Sequence, residues 1–138
     1  MKIKKAINKP IDFDDFASNY ENHISNSFGN IDNDVGYYHS AKAKIAKNEL
    51  DYTPKKILDF GCGIGLMINF LIQNFKGSDF FAYDDSEKSL EYVKAKYPKV
   101  NCVSRLDINE EFDLIFVSNV IHHVKSSERN SLFKKIHD

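Results

Sequence analysis

Three glycines at alternating positions follow a short apolar segment that contains an acid. The segment reads ILDF and includes Asp59, and the glycines are Gly61, Gly63 and Gly65. Glycine adopts backbone angles that other residues avoid, and it leaves no Cβ in the way of a bound group. The N–H groups at the start of the following helix suit a carboxylate or a phosphate. The spacing therefore predicts a ligand-binding loop, with a purely structural turn as the alternative.

A second acid lies at an informative distance from this loop. Asp84 comes nineteen residues after Gly65, close to the offset of about 20 residues at which a carboxylate accepts hydrogen bonds from ribose hydroxyls. Asp84 is also interpreted as a helix-entry residue, with Asp85 and Ser86 competing for the cap, and the two interpretations are compatible. Leu66 stands where a dinucleotide-binding loop has a small residue, which favours one nucleoside with a short anionic tail.

Two helices are predicted ahead of the loop. The first begins at Phe13, where apolar residues recur at helical spacing. Residues 25–36 are rich in Asn, Asp, Ser and Gly and are predicted to form a connecting loop. The second helix ends near Leu50, and its apolar face is predicted to comprise Tyr38, Ala41, Ile45 and Ala46.

From residue 53 onward, short apolar segments alternate with amphipathic ones. Strands are predicted over residues 55–60, 79–84, 100–104 and 112–119, with helices after the glycine loop, from a cap at Ser86, and from Ser126 or Ser127. The inward stripe of the helix after the loop comprises Ile68, Leu71, Ile72 and Phe75. This alternation predicts an α/β fold with a parallel sheet covered by helices on both faces. We expect a helical cap over residues 1–52 and a sheet domain over 53–138.

Composition limits the classes of partner. The chain has 138 residues and a formal net charge of −1, whereas a nucleic-acid or anionic-membrane surface needs a basic excess. No apolar run approaches the length of a membrane span, and the cytoplasm is the expected compartment. The two cysteines, Cys62 and Cys102, form neither a disulfide framework nor a metal site.

Three segments in a fixed order carry a family resemblance. They read ILDFGCGIG, AYDDS and FDLIFVSNVIHHV, within residues 57–124. In this order they resemble the class I S-adenosylmethionine (SAM)-dependent methyltransferases, in their small-molecule branch. The segment FDDFASNYEN, residues 13–22, is similar to the N-terminal helix that covers the cofactor in this branch. The resemblance implies a Rossmann-like, doubly wound and mostly parallel sheet with strand order 3-2-1-4.

The resemblance also implies roles for individual residues. The methionine part of SAM would be held by Asp59, Gly61, Cys62, Gly63 and Gly65. Asp84 would bind the ribose, Asp85 would pack on the adenine, and Asn119 would line the sulfonium end. Tyr20 would close over the cofactor, with a core aromatic as the alternative.

Two further assignments stay open at this stage. The adenine edge would be contacted near Leu106 or Asp107, and backbone groups near Leu106 are favoured. The connection from Ser104 to Phe112, which contains these residues, is too short for a helix and is predicted to be a taut loop. His122 and His123 are candidates for a general base. The alternative is that this pair merely opens a loop.

The implied activity is methyl transfer from SAM to a small-molecule acceptor, with S-adenosylhomocysteine (SAH) as product. A SAM-binding module without turnover and a nicotinamide dehydrogenase are the alternatives. The family's sheet has seven strands, and four are predicted here. We therefore expect that the chain is part of a longer protein, or that a homodimer partner covers the exposed edge of the fourth strand.

Overall fold

The computed structural model describes residues 31–104 and 110–137. Within them lies a four-stranded parallel sheet in the order β3-β2-β1-β4. The strands are β1 (Lys56–Phe60), β2 (Asp79–Tyr83), β3 (Asn101–Val103) and β4 (Leu114–Val117). The α/β class and the strand order predicted from the sequence are confirmed. The predicted helix from Phe13 lies outside the described residues, as does most of the connection before Phe112.

Four α-helices within the described residues accompany the sheet. They are α1 (Ile31–Glu49), α2 (Leu66–Asn74), α3 (Glu87–Lys96) and α4 (Ser126–His137), with a 3-10 turn at Ile121–His123. The predicted loop over 25–36 is wrong from Ile31 onward, because these residues form the first turns of α1. Polar residues such as Asn and Asp favour turns locally, but they are tolerated on the exposed side of a helix that is stabilised by packing elsewhere.

The buried face of α1 also differs from the prediction. Tyr38 and Ile45 are 63% and 61% exposed, whereas Ala43 is fully buried. Ala43 shares a core cluster with Leu71 of α2, because a small side chain lets two helices approach closely. The buried stripe therefore runs through a small residue that contributes little to an apolar periodicity, and the larger apolar residues face outward.

Three helices cover one face of the sheet. Cross-strand neighbours in a parallel sheet lie on the same face, which places Ile57, Phe80 and Leu114 in one row. Against this row pack Ala43 of α1, Leu71 and Phe75 of the predicted inward stripe, and Met67, which the prediction omitted. The other two residues of the stripe, Ile68 and Ile72, belong to the neighbouring core cluster. Next to it, Val93 of α3 packs against Ala82 and Ile68.

The opposite face of the sheet holds the alternate residues. Leu58 and Phe60 are buried there, and the ring of Phe81 lies edge-on to that of Phe112, 5.2 Å between centroids. Helix α4 lies beside this face, where its Ile136 and Ile115 of β4 line a surface cavity. Helices thus accompany both faces, as predicted.

The amino ends of β1 and β4 are joined by one carboxylate. Oδ2 of Asp113 accepts hydrogen bonds from the backbone N–H groups of Lys55, at 2.7 Å, and Lys56, at 2.9 Å. The hydroxyl of Tyr52 donates to the carbonyl oxygen of Asp113 at 2.7 Å, and Lys56 pairs with Glu110 at 3.1 Å. These bonds fix β4 beside β1, so that both strands deliver their carboxyl ends to the same place.

None of the described helices is both long enough and apolar enough to span a bilayer.

Candidate functional site

The glycine loop is bound to the end of β2. The backbone N–H groups of Gly61 and Cys62 both donate to the carbonyl oxygen of Tyr83, at 2.7 and 2.9 Å. Gly61 has a φ of +72°, and a Cβ added there would lie 2.3 Å from Cγ2 of Val120. Only glycine satisfies both conditions, so the loop passes between the carboxyl ends of β2 and β4 without side-chain bulk.

Gly65 has a different neighbour from Gly61. With a φ of +79°, it lies against α3, where an added Cβ would approach Val93 at 3.1 Å and Tyr97 at 3.2 Å. The absence of a side chain at Gly65 therefore allows α3 to pack close to the glycine loop. Helix α2 then begins with no side-chain cap and no acid in its first turn, which leaves its N-terminal N–H groups suited to an anionic group.

Asp84 connects the loop to the start of α3. Its Oδ2 accepts from the N–H of Gly63 at 2.8 Å, and its Oδ1 accepts from the N–H of Ser86 at 2.9 Å. The cap itself is Ser86, whose Oγ accepts from the N–H of Ser89 at 3.2 Å. Asp84 is therefore a helix-entry residue, as one interpretation held, and its carboxylate oxygens keep further lone pairs for a ligand.

Asp59 is a buried carboxyl group without a donor. It is 3% exposed, and among the described residues no group hydrogen-bonds to its Oδ2. Burial, and then the nearby charge of Asp84, raise the pKa of Asp59 from 3.8 to about 7. An unsatisfied buried acceptor is costly, so this position requires a donor or a cation that the described residues do not supply.

These groups line one cavity of about 450 Å³ at the carboxyl ends of the strands. Among the residues predicted to bind the cofactor, the structure brings these to its wall: Asp59, Gly61, Cys62, Gly63, Asp84, Asp85 and Asn119. Gly65 lies at the same loop but packs on α3 instead. Tyr20 and Leu106, the remaining two, lie outside the described residues.

Asn119 is displaced from the position predicted for it. Strand β4 ends at Val117, so Asn119 lies in the following turn rather than at the end of the strand. Its φ of +60° is in the left-handed region, which asparagine tolerates better than most residues. This conformation ends the strand and turns the chain past the cavity, where Ser118 and Val120 on either side also line the wall.

The two consecutive histidines have different positions. His123 lines the cavity, whereas His122 does not, although their ring centroids are only 3.8 Å apart. His39 of α1 stacks on Phe70 of α2, with 6.2 Å between ring centroids, and also lines the cavity. Its contribution to the wall could not be read from the apolar pattern of α1.

The thiol of Cys62 is not set up as a nucleophile. Burial is the main cause that raises its pKa, and the charges of Asp59 and Asp84 add to this effect. The thiol therefore stays protonated near neutral pH. Cys62 serves as a small buried side chain in the loop, as the sequence indicated.

The cavity wall has a distinct charge pattern. Its described residues include three acids, Asp59, Asp84 and Asp85, and neither lysine nor arginine. Acids of this kind accept hydrogen bonds from hydroxyl and ammonium groups and attract a cation. The arrangement suits a ligand with sugar hydroxyls, a positive group and a short anionic end that reaches the start of α2.

Comparisons with known proteins relate this chain to a family. Residues 57–138 match the profile of the family described as "Methyltransferase domain". The chain is 28% identical over 117 residues to the ubiquinone biosynthesis O-methyltransferase of Rickettsia bellii, covering 75% of this chain and 49% of that protein.

Solved structures share the fold. A TehB-like SAM-dependent methyltransferase from Corynebacterium glutamicum has a TM-score of 0.63 and 25% identity, over 94% of this chain and 67% of that one. The plantazolicin methyltransferase BpumL, in complex with a substrate analogue and SAH, has a TM-score of 0.64 and 20% identity, over 88% and 49%.

The chain spans half or less of the length of the curated relatives that it matches. The family match nevertheless covers more than half of this chain and includes β1, the glycine loop and every described strand. The chain therefore belongs to the methyltransferase domain family.

Proposed function

We propose that this chain binds SAM in the cavity at the carboxyl ends of the strands, and that the protein transfers its methyl group to a small-molecule acceptor, releasing SAH. The observation that carries the proposal is Asp59, which lines the cavity and whose buried Oδ2 has no donor among the described residues. The α-ammonium group of the methionine part is a donor and a cation, and it would satisfy this oxygen.

The other cavity residues fit the remaining parts of SAM. The uncapped start of α2 suits the methionine carboxylate, and Asp84 suits the ribose hydroxyls. Asp85 is exposed beside it and would border the adenine. Asn119 would line the sulfonium end, while Tyr20 and backbone groups near Leu106 stay predictions.

The charge of the wall distinguishes SAM from a dinucleotide. SAM carries a sulfonium and an ammonium group against one carboxylate, so its net charge is positive at neutral pH. A pyrophosphate would instead meet three acids and neither lysine nor arginine among the described lining residues. The negative charges of the pyrophosphate and of these acids would repel each other. This repulsion disfavours the nicotinamide dehydrogenase alternative.

When bound, SAM supplies a methyl group on a positively charged sulfur, which is a very good leaving group. The chain has to hold the acceptor in line and exclude water, and such positioning supplies much of the acceleration. A base is needed only where the acceptor must lose a proton. Of the predicted histidine pair, His123 is the one at the cavity wall, and its role as a base stays a prediction.

Isothermal titration of the protein with SAM, SAH and NAD tests the binding step. We expect saturable binding of SAM and SAH and no measurable binding of NAD. Tighter binding of NAD than of SAM would overturn the proposal.

Turnover requires a separate experiment. Incubation with SAM labelled in its methyl group and with a metabolite extract should give a labelled small molecule, together with SAH. Binding of SAM without any labelled product would favour the alternative of a SAM-binding module.

We further propose a cytoplasmic location and a homodimer that pairs along β4. Among the described strands β4 has β1 as its neighbour on one side only, and an open strand edge favours pairing with another chain. Light scattering after size-exclusion chromatography should give the mass of a dimer, and a monomer mass at micromolar concentration would contradict this.

A further inference from the structure

Lys42 of α1 reaches across to the end of β4. Its Nζ donates to Oγ of Ser118 at 2.9 Å and lies 3.5 Å from Oδ1 of Asn119. These contacts join residues 76 and 77 positions apart in the sequence.

The two acceptors belong to the cavity wall, whereas Lys42 does not. Ser118 and Asn119 both line the cavity, and Lys42 is absent from its lining. Its ammonium group therefore contacts two residues of the wall without lining the cavity itself. It is half-buried, and no carboxylate among the described residues lies within 4.0 Å of its Nζ.

The turn after β4, which Lys42 contacts, has a backbone conformation that requires stabilisation. Asn119 has a left-handed backbone, which costs free energy for a residue with a Cβ. The next residue, Val120, packs directly over Gly61 of the glycine loop. A shift of the turn after β4 would therefore move both the wall and the loop that faces it.

We infer that Lys42 is a positioning residue for SAM binding, which acts by holding Ser118 and Asn119 in the conformation that forms the cavity wall. This inference rests on the proposed function, because its effect is measured on the same site. It makes α1 part of the binding site through hydrogen bonds to the turn after β4, in addition to the contribution of His39 to the wall.

Titration with SAH, which does not react, tests the inference. We expect Lys42→Met to weaken SAH binding about 10-fold, while the thermal midpoint of the free protein changes little. Lys42→Arg should restore binding to within about 3-fold of the unaltered protein, because a guanidinium group reaches two acceptors. Lys44→Met is the matched control, since Lys44 is exposed on the same helix, and its binding should be unchanged.

A double-mutant cycle identifies the route of the effect. Ser118→Ala should weaken binding to a similar extent, and the double variant should lose no more than Lys42→Met alone. A double variant that loses the product of the two single effects would overturn the inference, because Lys42 would then act on the ligand directly.

The outcomes separate this inference from the proposed function. If the unaltered protein and Lys42→Met bind SAH equally well, the positioning role is wrong and the proposed function stands. If the unaltered protein binds neither SAH nor SAM, both are overturned. Should Lys42→Met fail to fold, Ser118→Ala and Lys42→Arg supply the same comparison, and normal binding by Ser118→Ala would contradict the inference.

Discussion

The two ends of the sheet hold aspartates whose pKa values are shifted in opposite directions. At the amino end, Asp113 is exposed, and its carboxylate accepts two backbone N–H groups. The bonds from Lys56 and Lys55 lower its pKa, so the charged form is stabilised by folding. At the carboxyl end, Asp59 is buried without a donor for Oδ2, and its pKa is raised to about 7.

The difference separates an end that stabilises the fold from the end that we propose for ligand binding. A satisfied carboxylate stabilises the fold by itself. An unsatisfied one costs free energy until another molecule brings the missing donor, and functional sites are where such costs are tolerated. Gly61 at the carboxyl end is crowded by Val120, whereas Gly63 in the same loop and Gly77 near the amino end both have open space around them.

The largest effect is expected from Gly61→Ala. A Cβ there would lie 2.3 Å from Val120 in a strained backbone, so we expect a loss of about 3 kcal/mol in the free energy of unfolding, together with loss of SAM binding. Gly77→Ala, which meets strain but no neighbour, should cost about 1 kcal/mol and leave binding intact. Urea unfolding measures both, and equal losses in the two variants would remove the contrast between the ends.

The next effect concerns ligand affinity. Asp59→Asn removes the charge that we propose for the methionine ammonium, and SAM binding should weaken on the order of 100-fold, since a hydrogen bond to a charged group is lost in a buried site. Titration calorimetry measures this change. The matched variant Asp113→Asn should bind normally, and a comparable loss there would contradict the division of roles.

Asp59→Asn should also alter the pH dependence of stability. The pKa of Asp59 is higher in the folded protein than in the unfolded chain, so the folded state binds more protons between pH 3.8 and about 7, and stability from this group falls as pH rises through that window. The thermal midpoint of Asp59→Asn, relative to the unaltered protein, should therefore rise between pH 5 and pH 8, by about 5 °C. A difference in thermal midpoint that stays constant with pH would show that folding does not raise the pKa of Asp59.

The smallest effect is expected at Asp113. Asp113→Ala removes the one oxygen that accepts hydrogen bonds from both backbone N–H groups at the start of β1. Water replaces it at this exposed position, so the thermal midpoint should fall by no more than about 3 °C. Because its pKa is lowered in the fold, the contribution of Asp113 is present above pH 3.8 and lost as pH falls through the lower value. Glu111→Ala is the control, and an equal change there would remove the special role of Asp113.

Much of the fold could be predicted because its signals are local. Short apolar runs between turn residues define β1 and β2, Ser86 caps α3 as predicted, and the inward stripe of α2 is continuous. The prediction failed at α1, where the buried position is a small alanine and the large apolar residues are exposed. Hydrophobic periodicity reports large side chains, so it does not detect a helix that packs through a small one.

The sequence by itself indicated the glycine loop and the acids Asp59 and Asp84, because their types and spacing lie along one short stretch of chain. The order of the strands came from the family resemblance of three sequence segments. Only the tertiary structure decided that His39 of α1 lines the cavity, that Lys42 of α1 contacts the turn after β4, and that Oδ2 of Asp59 lacks a donor among the described residues. Contacts between residues more than 70 positions apart, and the absence of a hydrogen bond among the described residues, depend on packing in three dimensions. No local pattern along the chain records them.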